Sequence, residues 1–89
     1  MKLTLKELEK CFNIAKGIGS EYVAVSVLFP KCEQPEVIIN HKSNLAAKLE
    51  YYKSAYDQDL HLKTNPEVQI IGFTLGDNFA HLEAGLQQK

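Results

Sequence analysis

The chain has 89 residues and a formal net charge of −1, which suits one domain, residues 1–89, with a modest core and no strong field to steer a charged partner. All ten basic residues are lysine, so the bidentate arginine contacts that read phosphate and guanine are absent. No window is long and apolar enough to span a bilayer, and residues 1–10 have no secretory apolar region, so no membrane role is expected and the expected setting is cytoplasmic.

Residues 4–16 read as a first helix. Thr4 and Glu7 form a capping box, the hydroxyl taking the Glu7 amide and the carboxylate reaching back. Leu3 and Leu8 make the hydrophobic staple. Leu5, Leu8, Phe12 and Ala15 form the buried stripe, with Cys11 and Ile14 beside it. Gly17 suits the left-handed position that ends a helix. The GIGS run at 17–20 follows a helix rather than a strand and lacks the full glycine pattern of a phosphate loop.

Residues 21–29 read as the first strand, with Val23, Val25, Val27 and Phe29 on one face and Tyr22, Ala24, Ser26 and Leu28 on the other. Pro30 ends it. Residues 36–40 follow after a short loop as a second strand, a spacing that suits an antiparallel hairpin.

Residues 43–62 read as the longest helix, around which the rest is arranged. Leu45, Leu49, Tyr52, Tyr56 and Leu60 recur at steps of three and four on one side. Ser43 is the expected N-cap, Glu50 and Lys53 pair across the solvated side, and Pro66 requires the helix to end before it, near 59–63. Residues 63–66 turn, and 68–75 form a third strand whose internal Gly72 suggests a bulge or a close approach. Asp77 caps a last short helix, 78–86, with Phe79, Leu82 and Leu86 inward.

The expected architecture is therefore α+β: a two-layer α/β sandwich in the order α-β-β-α-β-α, with a three-stranded mixed sheet. The second and third strands flank a helix, a right-handed crossover if they run parallel. Each strand carries apolar residues on both faces, so either the last helix covers the second face or that face is an interface.

No motif for catalysis or for a cofactor is present, and neither an enzyme nor a cofactor is expected. The serines stand in no nucleophile elbow. Asp57, Asp59 and His61 offer oxygen and nitrogen ligands of the kind that hold a divalent ion, but alternate positions on a helix diverge; the objection falls if the chain has left the helix there. Cys11 reads as a small core residue and Cys32 as an exposed thiol in a loop; their spacing is not that of a metal site. The order resembles small RNA-binding folds, yet it lacks the GxxG loop of the K-homology type and the consecutive strands of the double-stranded RNA-binding type. Lys6, Lys10 and Lys16 lie on the outside of the first helix as the alternative, nucleic-acid contacts, of a salt-sensitive, sequence-blind kind. Tyr51 stands at the edge of the central apolar stripe, where tyrosines anchor interfaces. With Tyr22 and Leu28 it is the candidate interface.

The run KLEYYKSAYDQDLHLKTNPEVQIIGFTLGDNF, residues 48–79, resembles small uncharacterised proteins of phages and prophages in Gram-positive bacteria, which carry a similar K-L-x-Y-Y-K-x-x-Y helix and an I-x-x-F/Y-x-x-G-D/N-x-F strand-to-helix turn. The resemblance covers about a third of the chain and implies a setting rather than a mechanism; lysine in place of arginine fits an AT-rich genome. The function expected is that of a small non-enzymatic interaction module whose partner is a bacterial host or phage protein, or a second copy in a homodimer.

The cap on the first helix gives a direct check. Thr4→Ala is expected to remove about 1 kcal/mol of stability; an unchanged melting temperature would place the start of that helix elsewhere.

Overall fold

The computed structural model describes residues 3–78, 80 and 82. The elements run α1 (Leu5–Ile18), β1 (Tyr22–Leu28), β2 (Glu36–His41), α2 (Leu45–Ala55), β3 (His61–Leu62) and β4 (Asn65–Gly76), with a 3-10 turn at Lys42–Asn44 leading into α2.

Local chemistry sets the limits of α1. The Thr4 Oγ1 accepts the Glu7 amide at 3.3 Å from an extended backbone, which satisfies one of the helix's orphan donors. At the other end it is Gly19, not Gly17, that adopts the left-handed conformation, with φ 73°. The Ser20 N–H then donates to the Ala15 carbonyl at 2.9 Å, closing the turn as a helix stop rather than a phosphate loop. Leu5, Leu8, Phe12 and Ala15 are the buried positions, as their spacing requires.

The sheet is four-stranded and antiparallel, in the order β2-β1-β4-β3. It is not the expected three-stranded mixed sheet. Strands β2 and β4 both run opposite to β1 and so run parallel to each other, but β1 lies between them. The connection through α2 therefore passes over β1 instead of joining neighbours. The fourth strand, β3, comes from residues whose helical spacing masked it.

That spacing misleads because two backbones bury the same side chains. Leu45, Leu49, Tyr52, Tyr56 and Leu60 are all buried, but α2 ends at Ala55, well short of the expected limit. Tyr56 is already extended and bridges to Leu62. The Asp57 carboxylate explains the break: its Oδ1 accepts the amides of Asp59 at 2.9 Å and His61 at 3.0 Å. A local side-chain acceptor competes with the helical ladder. Leu60 then turns into the core through a left-handed backbone, φ 65°, while its side chain is fully buried. Nor does Ser43 cap α2. The cap position is Asn44, and the Ser43 amide instead donates to His41 Nδ1 at 3.2 Å.

Both helices pack on one face of the sheet. Their buried residues join Val23, Val25, Val27, Leu60, Val68 and Ile70 in one cluster, with the Phe12 and Tyr52 rings 5.8 Å apart across the helix pair. Gly72 marks a bulge as expected: opposite Ser26 and Val27 stand Gly72 and Ile70, leaving Ile71 as the extra residue. Asp77 Oδ1 accepts the Glu21 amide at 3.1 Å. Most of the expected last helix lies outside the described residues, though the Leu82 N–H donates to the Asn78 carbonyl at 3.2 Å, a helical-turn bond.

Leu60 offers a test in which the usual order reverses. Leu60→Ala is expected to cost about 2–5 kcal/mol through the cavity it leaves. Glycine at an ordinary position would cost about 0.5–1 kcal/mol more than alanine. Here it relieves about 1–2 kcal/mol of left-handed strain, so Leu60→Gly is expected to be no worse than Leu60→Ala in urea denaturation.

Candidate interaction surface

Residues directly opposite in a sheet share a face, so the β1 register sorts the side chains. Val23, Val25 and Val27 face the helices together with Asn40, Ile38 and Glu36 of β2. Tyr22, Ala24 and Ser26 face outward with His41, Ile39 and Val37. On β4, Ile71 follows core-facing Ile70 and turns outward. The centre of this outer face is closed, with Ala24 and Ser26 buried; Leu82, beyond β4, is likewise buried apart from the main cluster. Its two sides are open: Val37 is 46%, Ile39 40% and Ile71 36% exposed.

The expected interface residues divide between the layers. Tyr22 and Leu28, both half-buried, lie on the outer face. Tyr51 is exposed on α2 in the other layer, its ring edge-on to Tyr52 at 5.3 Å. No single partner surface of ordinary shape joins all three. Val37, Ile39 and Ile71 were not among the expected interface residues; the signal was the alternation in β2, which names a face only once the Val23–Val25–Val27 stripe is known to meet the helices.

A polar cluster closes the β1–β2 end of the face. The Glu21 carboxylate pairs with Lys42 Nζ at 2.9 Å and with His41 Nε2 at 3.4 Å. The Lys42 hydrogen bond, with its positive charge, holds the Glu21 carboxyl below the usual carboxylate range, and His41 adds to this. The Ser43 hydroxyl lies 3.0 Å from His41 Nδ1. Serine, histidine and glutamate are thus in line, but the Ser43 amide donates to the same Nδ1. The ring serves as the cap of the 3-10 turn, on an exposed surface. His41 also stacks edge-on to Tyr22 at 5.5 Å.

The Asp57, Asp59 and His61 constellation has a structural use. Asp57 Oδ1 holds two amides, as above, and His61 Nδ1 donates to the Pro66 carbonyl at 2.6 Å. Among the described residues no group of three or more histidine, cysteine, aspartate or glutamate side chains is placed to hold a metal ion. Both cysteines are free; burial pushes the Cys11 thiol up to about 11, while Cys32 is exposed. Lys6, Lys10 and Lys16 are exposed on α1. At 3.6 residues per turn Lys6 and Lys10 share a side, and Lys16 lies about a third of a turn from Lys10. Among the described residues no helix is long and apolar enough to cross a membrane. Compared with models of known protein families, with curated proteins and with solved structures, the chain gives no match.

Asp57 ties this region to pH. The His61 amide, helped by that of Asp59, holds its carboxyl below the usual range. A lowered folded-state pKa contributes stability that is complete above the unfolded value of about 3.9 and is lost as pH falls through the folded one. Asp57→Asn keeps an acceptor but cannot titrate. Its urea midpoint is expected to fall less than the wild type's between neutral pH and the range below the ordinary aspartate pKa; parallel acid losses would show that Asp57 does not contribute to the pH dependence.

Proposed function

We propose that the chain is a small non-enzymatic interaction module, encoded by a phage or prophage of a Gram-positive bacterium, that binds a protein through the outer face of its sheet. The observation that carries this reading is the pair of open apolar sides on that face, Val37 and Ile39 on β2 and Ile71 on β4. Each sits on a strand paired with β1, so exposure is not a matter of a loose loop. Exposed apolar side chains on a rigid surface gain from burial against a partner, roughly 25 cal/mol for each Å² removed from water. Tyr22 and Leu28 on the same face add contact area. The polar cluster of Glu21, His41 and Lys42 supplies a charged rim.

The nucleic-acid alternative rests on Lys6, Lys10 and Lys16, which lie within about a third of the circumference of α1. Salt separates the two readings, because phosphate binding weakens steeply with ionic strength and apolar burial does not. Capture from a Gram-positive host lysate is expected to retain a protein through nuclease and high salt, and to lose it with Val37→Lys combined with Ile71→Lys. Capture that disappears with nuclease or salt, and that depends on the α1 lysines, would favour nucleic acid instead.

A further inference from the structure

The β2 strand forms one end of the sheet order, and its second side pairs with no strand among the described residues. Which of its backbone groups face outward follows from one bond. The Lys42 N–H donates to the Glu21 carbonyl at 2.7 Å. In an antiparallel pair only residues that stand directly opposite as a hydrogen-bonded pair make such a bond, and these alternate with non-bonded pairs. Glu21 and Lys42 continue the register Tyr22↔His41, Val23↔Asn40. The bonded positions on β2 are therefore Glu36, Ile38 and Asn40, and the amides and carbonyls of Val37, Ile39 and His41 point away from β1.

An edge of this kind is a template for another strand, and proteins usually blunt it with a bulge, a proline or an inward charge. Here the β1–β2 register runs without a shift from Tyr22 to Val27. Pro35 stands before the strand rather than within it, and the charge on its helix-facing side, Glu36, is the first residue of the strand and exposed rather than within its apolar run. The outward backbone belongs to Val37 and Ile39, the apolar residues left exposed, and to His41. The opposite edge of the sheet, β3, has only 2 residues.

We propose that β2 is a homodimerisation edge, at which two copies pair β2 to β2, antiparallel, about a twofold axis at Ile39. The proposal rests on the reading that the chain acts by association, and it names the first partner as a second copy. The register follows from self-complementarity. With Ile39 on the axis, Val37 stands opposite His41 of the second copy, so every outward residue exchanges both of its backbone bonds. The two Ile39 side chains meet on the outer face. Glu36 of each copy, which is exposed, then stands opposite Lys42 of the other, giving opposite charges at both ends of the pairing. Lys42 already holds Glu21 at 2.9 Å and its side chain is 53% exposed, so it can receive a second carboxylate. A shift that puts Ile38 on the axis sets Pro35, which has no N–H, opposite His41 and sets Glu36 opposite Asn40. That arrangement loses both the backbone donor and the charge match.

The test is sedimentation of the full chain from micromolar to millimolar concentration, together with amide exchange by NMR. A dimer is expected in which the amides of Val37, Ile39 and His41 exchange slowly, and more quickly on dilution. Ile39→Pro removes only an outward donor, which an edge strand tolerates, and is expected to leave a folded monomer. Should that variant fail to fold, Ile39→Lys places like charges on the axis and is expected to do the same. Glu36→Lys is expected to weaken association about tenfold, more at low salt. A monomer at every concentration would overturn the proposal while leaving the outer-face reading standing. A dimer with fast exchange at those amides, insensitive to Ile39→Pro and dissolved by Ile71→Lys, would overturn the edge and move self-association to the outer face.

Discussion

The turn at 57–63 is the constraint on which the rest of the structure depends. Its Gln58 carbonyl accepts the Leu5 amide at the start of α1 at 3.1 Å, and its Leu60 carbonyl accepts the Ile70 amide of β4 at 2.9 Å. The Lys63 amide reaches back to the Ala55 carbonyl at the end of α2, also at 2.9 Å. One short segment thus satisfies backbone groups of both helices and of the long strand. Buried or terminal backbone groups need partners, and this turn supplies them at the point where the two layers meet. Asp57 holds the turn closed through two amides, and Leu60 anchors it in the core at the expense of a left-handed backbone. Strain of that kind persists where the surroundings over-determine it, which is the situation of a fully buried leucine between two helices and a strand.

The second consequence concerns what is left outside. With β2 and β4 on either side of it, β1 is covered by strands at both edges, and its valines by both helices. Its outward residues Ala24 and Ser26 are buried, so the middle of the outer face is closed. The larger outward side chains stand on the neighbours, at Val37, Ile39 and Ile71. On this face the exposed apolar surface therefore lies at the flanks of the sheet; elsewhere Ile14 and Ile18 of α1 and Tyr51 of α2 are exposed.

Much of this was legible in the sequence, and the misses have physical causes. The core stripe of the first helix, its cap and the Gly72 bulge are local patterns, set within a few residues, although the helix runs on to a stop at Gly19 rather than Gly17. The number of strands is not local. A run with leucines and tyrosines at steps of three and four fits a helix, and it also fits a helix that stops at Ala55 and turns back through Asp57. The same residues are buried in both cases, so periodicity alone cannot choose between them; the carboxylate that accepts two amides does. Strand order is likewise set by which strand β4 meets, and no residue in β2 or β4 says that β1 will lie between them. For the surface, Tyr22 and Leu28 followed from alternation in one strand. Tyr51 also followed from its position on a helix, but only the packing of layers shows that it looks away from the other two. Val37 and Ile39 needed a register before their face had a meaning.

Edge and face are not independent surfaces, because Ile39 belongs to both. Its backbone lies on the open edge of β2 while its side chain lies on the outer face. In a pair joined at β2 the outer faces of the two copies become continuous, and the Val37 and Ile39 side chains of each copy form one apolar strip across the twofold axis. A protein partner that spans the axis would meet both strips at once. The second contact would then be intramolecular, with an effective concentration far above that of free chain. Backbone pairing at the edge would set the two sheets in one plane and widen the apolar surface that a single copy already offers on the flanks of its closed centre. In the proposed dimer, partner binding through Val37 and Ile39 would be coupled to dimerisation, each favouring the other by the same free energy.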